Sequence, residues 1–227
     1  MQISVNNITK DYQKKRGLFS VGFSAEKGEC VAVVGHNGAG KSTLLKILSG
    51  WVIPDGGWAS VEGIGINDRQ ALVRNVGFVP ETPNLFECFS VEYNLKLFAR
   101  LFHIPLLRVL DILQEFNLLP FRNTAVRALS KGLKQRVSIG RSLLPDPPVI
   151  LLDEPTAGLD FEMTNEVYRL LKNSNAAGKT ILFTSHRPEE IRTLASRIIV
   201  LHQGQAVFDG SPGQYFQSKV HQELYNI

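Results

Sequence analysis

Gly35-His36-Asn37-Gly38-Ala39-Gly40-Lys41-Ser42-Thr43 is the stretch that decides the fold. It fits G-x-x-x-x-G-K-[ST], a loop whose backbone N–H groups cradle phosphates. Its flanks agree. Cys30-Val31-Ala32-Val33-Val34 is a short apolar, β-branched run of the kind a buried parallel strand needs. After the loop, Leu44, Leu45, Ile47 and Leu48 recur at helical spacing until Gly50 supplies a stop. Strand, glycine-rich turn and helix start together form a nest of amide groups that stabilises a polyanion. In such a loop Lys41 reaches the outer phosphates and the Ser42 hydroxyl is a Mg²⁺ ligand.

Working outward, the chain of 227 residues, 44% of them hydrophobic, is long enough for one large domain or a domain with an insertion. No run approaches the roughly 18 consecutive apolar residues of a membrane span. Met1–Asn6 lacks the basic-then-apolar pattern of a secretory leader. Cys30 and Cys88 are far apart and fit no metal-like spacing, so reduced thiols in a cytosolic protein are expected. The net charge of +4 is weak support for a polyanionic or membrane-surface partner.

Upstream of the loop, Ile3–Ile8 alternates as a half-buried strand and Val21–Ser24 reads as a second. Tyr12 lies between them, where an aromatic either stacks on a base or simply packs. Downstream, Ile53–Gly57 is a turn cluster, Val61–Ile66 and Asn75–Val79 read as strands, and Pro80 and Pro83 end regular structure. From Ser90 to about Leu143 the pattern is helical. One apolar face is Val91, Leu95, Phe98 and Leu101, and the next is Leu107, Leu110, Leu113 and Phe116. Lys96–Arg141 carries nine Lys/Arg against Asp111 and Glu115, a charge run that reads first as a solvated face. Phe86 and Phe89 stand in a turn-rich segment, and at least one is expected at the surface.

Ser130 is a natural N-cap for an amphipathic helix carrying Val137, Ile139 and Leu143. Val149-Ile150-Leu151-Leu152 reads as a buried strand with Asp153 and Glu154 at its C-terminal end, where open α/β sheets put their chemistry. Asp153 suits a Mg²⁺ held largely through water, and Glu154 a general base for the attacking water. Asp160 is an N-cap candidate for a helix from Phe161 to about Asn173. Thr180–Thr184 is another buried strand, with Ser185-His186 at its end; Pro188 then starts a helix, and Ile198–Leu201 with Ala206–Phe208 reads as a closing hairpin. His186 is either a structural group or one that reaches a terminal phosphate.

The ordered set resembles the nucleotide-binding domain of ATP-binding cassette (ABC) ATPases, from Tyr12 to about Gly210. The resemblance implies an α/β fold: a P-loop NTPase core with a mostly parallel sheet, an N-terminal antiparallel β subdomain, and an α-helical subdomain at about 85–144 inserted within a single domain of residues 1–227. It makes Tyr12 the adenine-stacking aromatic, Gly35–Thr43 the Walker A motif, and Glu81 the Q-loop residue beside the metal. It makes Leu129-Ser130-Lys131-Gly132-Leu133 the signature, Asp153-Glu154 the Walker B pair, His186 the switch histidine, and Asp160 a D-loop residue at a dimer interface. ATP and Mg²⁺ are the implied ligands. Two such chains would close head-to-tail, Ser130 and Gly132 of one on the ATP of the other, and the helical subdomain would receive a separate transmembrane permease subunit. That places the chain in the cytoplasm, at the inner face of the membrane.

Two motifs depart from the commonest family pattern. Lys131 and Leu133 stand in the third and fifth signature places, and Glu81 stands where Gln is usual. Both, with Lys134-Gln135-Arg136, resemble the branch serving type-2 bacterial exporters, so export is expected over import. A different class, a soluble ABC ATPase acting on ribosomes or nucleic acid, typically carries two cassettes, a coiled-coil insertion or a zinc module. The chain shows neither a heptad run nor cysteine pairs, and no stable nucleic-acid partner is expected. A cassette that binds ATP without turnover is opposed by Lys41, Asp153, Glu154 and His186.

Overall fold

The strands named above assemble into two sheets in the computed structural model, which describes residues 1–13 and 16–225. The first is antiparallel, ordered β2-β1-β4-β5: β1 (Ile3–Asp11), β2 (Gly17–Ala25), β4 (Gly56–Val61) and β5 (Ile64–Gly65). The alternation of β1 slips between Val5 and Ile8, where Asn7 takes a φ of 50° and the pairing with β2 shifts register. The second sheet is ordered β10-β9-β3-β8-β7-β6. Its members are β3 (Cys30–Val34), β6 (Val76–Val79), β7 (Val149–Leu152), β8 (Thr180–Thr184), β9 (Arg197–His202) and β10 (Gln205–Gly210). All neighbours in it run parallel except β9 and β10, the closing hairpin.

The continuous apolar runs of β3, β7 and β8 are explained by burial on both faces. Ala32, Val34, Ile150, Leu152, Ile181 and Phe183 face one hydrophobic cluster. Val31, Val33, Val149, Leu151 and Leu182 face another, closed by the antiparallel sheet and by α1 (Lys41–Leu48). Each fully buried aliphatic side chain contributes about 1.5–3 kcal/mol, so these two layers fix the sheet.

Between β6 and β7 the chain forms α3 (Val91–Leu101), α4 (Leu107–Glu115) and α5 (Lys131–Ser142); α2 (Arg69–Asn75) precedes β6. α6 (Phe161–Ala176), α7 (Pro188–Leu194), α8 (Pro212–Gln217) and α9 (Lys219–Tyr225) follow. Among the described residues no helix is long and apolar enough to cross a membrane.

Two local expectations are corrected. The run Val61–Ile66 is not one strand: it holds the end of β4 and, after a turn at Glu62-Gly63, β5 (Ile64–Gly65). β4 begins at Gly56, inside the expected turn cluster, because its pairing with β1 (Ile3↔Val61, Val5↔Ala59) outweighs the glycine turn signal. α2 carries no long apolar stripe, only Leu72 buried, and starts on an Asp68 side chain that accepts from the Ala71 N–H. On α4 the buried stripe is Val109, Ile112, Leu113 and Phe116, while Leu107 and Leu110 stay exposed, as does Leu101 on α3. Phe86 and Phe89 are both 46% exposed.

Candidate active site

β3 delivers the phosphate loop, and a glycine at 40 is what lets the loop turn into α1. Gly40 has a φ of 104°, and a Cβ there would lie 2.7 Å from the Gly17 carbonyl oxygen. Lys41, only 6% exposed, opens the helix and folds its ammonium back over the loop, donating to the carbonyls of Gly35 (2.7 Å) and His36 (3.2 Å). Burial lowers its pKa, against the attraction of Glu154, Asp153 and Glu81. The Lys41 ammonium stands 4.0 Å from Glu154 Oε1.

β7 and β8 lie side by side, with Leu152 opposite Phe183, so residues that follow them emerge together. The Thr184 hydroxyl ties the two exits: it donates to Asp153 Oδ1 (2.7 Å) and accepts the Glu154 N–H (2.8 Å). Glu154 has a φ of 49°, a left-handed backbone for a non-glycine residue, and strain of this kind gathers at functional sites. Its Oε2 lies 2.8 Å from His186 Nδ1. Asp153 is 3% exposed, and the hydrogen bond to Oδ1 leaves Oδ2 for a cation or its water. Among the described residues no group of three or more His, Cys, Asp or Glu is arranged to hold a metal by itself.

These groups open on a cavity of about 790 Å³ at the C-terminal ends of the parallel strands. Tyr12, Asn37, Gly38, Gly40, Lys41, Ser42, Thr43, Glu81, Glu154 and His186 line it. Asp153 lies buried behind it, and His36 faces a smaller cavity with His202. Tyr12 is 49% exposed, so its ring packs in no core and is open to a planar ligand. Arg16, Gly17 and Ala157 also line the large cavity; the sequence reading passed over them, although the basic Lys14-Lys15-Arg16 run beside Tyr12 was a usable signal.

Ser130, Lys131, Gly132, Leu133 and Asp160 lie outside that cavity. Ser130 caps α5, accepting the Leu133 N–H at 3.3 Å, and Asp160 caps α6, accepting the Met163 N–H at 2.8 Å. The two helix starts pack closely: a Cβ on Gly132 would lie 2.6 Å from Met163 Cγ, and Arg136 pairs with Glu166 at 3.1 Å. The arrangement brings together the glycine-rich loop, a shielded ammonium, a carboxylate, and an imidazole in contact with it.

Residues 18–157 match a family model described as ABC transporter. The Nod factor export ATP-binding protein I of Rhizobium meliloti (strain 1021) is 36% identical over 230 residues, covering 99% of this chain and 69% of that protein. The ABC transporter ATP-binding protein NatA of Bacillus subtilis (strain 168) is 32% identical over 236 residues, covering 99% and 96%. Among solved structures, a dimeric post-hydrolysis state of the ATP-binding cassette MJ0796 bound to ADP and Pi superposes with a TM-score of 0.83 at 30% identity, covering 92% of this chain and 98% of that one. An ATP-binding subunit of an ABC transporter superposes at 0.88 with 28% identity over the whole chain. With this loop, these carboxylates and these relatives, the chain belongs to the ABC transporter family, as an ATP-binding and ATP-hydrolysing cassette.

Proposed function

We propose that this chain is the ATPase subunit of a membrane exporter, a single cassette domain with a helical subdomain at about 85–144. The observation that carries the reading is the convergence of Lys41, Ser42, Glu154 and His186 on one cavity. Tyr12 stacks on the adenine ring, and the amides of Gly35–Thr43 with Lys41 hold the phosphates. The Ser42 hydroxyl and Asp153 would hold Mg²⁺, with Glu81 beside them, and the ion would supply charge neutralisation on the phosphate oxygens. Glu154 takes the proton of the attacking water, and His186, at 2.8 Å, orients that carboxylate.

A second copy completes each site. Ser130, Lys131, Gly132 and Leu133 of one chain contact the nucleotide of the other, and Asp160 lies in the same interface. The cassette solved as a dimer with ADP and Pi supports this pairing. Export is favoured by the Nod factor export proteins among the relatives. A separate permease docks on the helical subdomain, where the exposed Phe86 and Phe89 offer an aromatic surface. The chain then sits at the cytoplasmic face of the membrane.

The test is size-exclusion chromatography with ATP and Mg²⁺. Glu154→Gln keeps shape and hydrogen-bonding reach but takes no proton, and loss of a general base costs about 10²- to 10⁴-fold in rate. ATP-bound dimers of that variant should accumulate, Lys41→Ala should stay monomeric, and adding Ser130→Arg to Glu154→Gln should abolish the dimer. A Glu154→Gln protein that hydrolyses ATP at the parent rate refutes the assignment.

A further inference from the structure

Glu190 is a buried carboxylate for which the reaction outlined above has no use. It is 1% exposed, on α7, and burial holds its pKa above the ordinary carboxylate range despite hydrogen bonds from Ser185 and Thr156. Those two partners come from the two segments that carry the chemistry. The Thr156 hydroxyl, two residues beyond Glu154, donates to Oε1 at 2.8 Å. The Ser185 hydroxyl, one residue before His186, donates to Oε2 at 2.6 Å. Arg187 closes the bracket: its backbone N–H donates to Ser185 Oγ at 3.0 Å and its guanidinium to Thr156 Oγ1 at 3.2 Å. Thr184 ties the same two segments on the strand side. Glu154 and His186 therefore project from a frame pinned at both ends.

We propose that Glu190 is a positioning residue for ATP hydrolysis, whose two carboxylate oxygens set the spacing between the Glu154 and His186 segments through Thr156 and Ser185. A burial role alone would call for an apolar side chain, since an unpaired carboxylate in an interior is costly to desolvate. One carboxylate that accepts from two separate loops instead fixes their distance, and a displacement of about 1 Å in a catalytic group costs on the order of 10²-fold in rate. The inference rests on the assignment of Glu154 as base.

The experiment is steady-state ATPase kinetics and nucleotide binding on Glu190→Ala, Thr156→Ala and Ser185→Ala, each also combined with Glu154→Gln. Glu190→Ala should lower kcat about 10²-fold, with KM for ATP and the Kd for a non-hydrolysable analogue within about twofold of the parent, because the phosphate loop is untouched. In the Glu154→Gln background it should add no further loss, since its effect runs through that residue. If Glu190→Ala does not fold, the single-hydroxyl variants, each cutting one arm, carry the expectation at about tenfold, the size of one buried hydrogen bond. Parental kcat in the hydroxyl variants overturns the proposal. So does a KM that rises in step with the loss of kcat, or an additive loss in the double variant. If Glu154→Gln is itself as fast as the parent, it is the assignment of the base that fails. If Glu154→Gln is slow while the Glu190, Thr156 and Ser185 variants are fast, only the positioning role fails.

Discussion

Thr184→Val removes one hydroxyl and almost no volume, and the structure sets the size of its effect. The side chain is fully buried at the end of β8. Its hydroxyl donates to Asp153 Oδ1 at 2.7 Å, a bond to a carboxylate of the class that contributes about 1.5–3 kcal/mol. It also accepts the Glu154 N–H at 2.8 Å, a neutral bond of about 1 kcal/mol. The valine methyl returns about 1 kcal/mol of transfer energy. The net loss is about 2 kcal/mol, which in a chain of this length lowers Tm by roughly 4–8 °C. Urea unfolding should report the same loss as a lower midpoint at unchanged slope. Turnover should fall further than stability suggests, at least about tenfold, because Glu154 holds a left-handed backbone that the Thr184 hydroxyl helps to fix. A Tm within about 1 °C of the parent, together with parental kcat, would refute the claim that Thr184 sets the carboxylate pair.

Two further outcomes follow from the geometry. Burial raises the Glu190 pKa above 4.5 in the folded chain, so its contribution to stability is full below pH 4.5 and is lost as pH rises through the raised value. The Tm of the parent minus that of Glu190→Gln should therefore decline with pH from 4.5 upward, and a difference constant with pH excludes the shift. Arg16 lines the cavity beside Tyr12 and is exposed. Arg16→Ala should raise KM for ATP roughly fivefold, the size of about 1 kcal/mol for an exposed charge contact, with kcat unchanged. The effect should shrink at high salt, as screening requires, and an equal effect at all salt concentrations speaks against a charge contact.

How legible the molecule was depends on how far each signal had to reach along the chain. The phosphate loop and its two flanking elements are contiguous, so strand, turn and helix could be read from neighbours. β7 with Asp153-Glu154 and β8 with Ser185-His186 are also local signals, and their adjacency in the sheet follows from parallel pairing. The start of β4 was missed because its register is set by β1, about fifty residues upstream, and not by its own glycines. Leu101, Leu107 and Leu110 belong to the apolar faces read from the sequence yet stay exposed, because i, i+3 spacing gives a stripe but not how much of it is covered. The bracket of Thr156, Ser185 and Glu190 was missed for a different reason. Serines, threonines and a glutamate after a strand are common letters, and only the crossing of two loops gives them a shared partner.

The turn at Gln203-Gly204 looks like the cheapest place on the chain to insert a tag or open new termini, since hairpin tips usually tolerate both. Here it does not. The Gly204 carbonyl accepts the Phe19 N–H at 2.7 Å and its own N–H donates to the Ala39 carbonyl at 3.2 Å. With a φ of 78° and a Cβ position only 2.7 Å from the Gly17 carbonyl, it admits no other side chain without strain. One glycine thus rivets the antiparallel sheet, which carries the Tyr12 end of the cavity, to the Gly35–Thr43 loop at its other end. The span of the cavity is in effect gauged by a hairpin turn, and protein engineers seeking a fusion site should leave it intact.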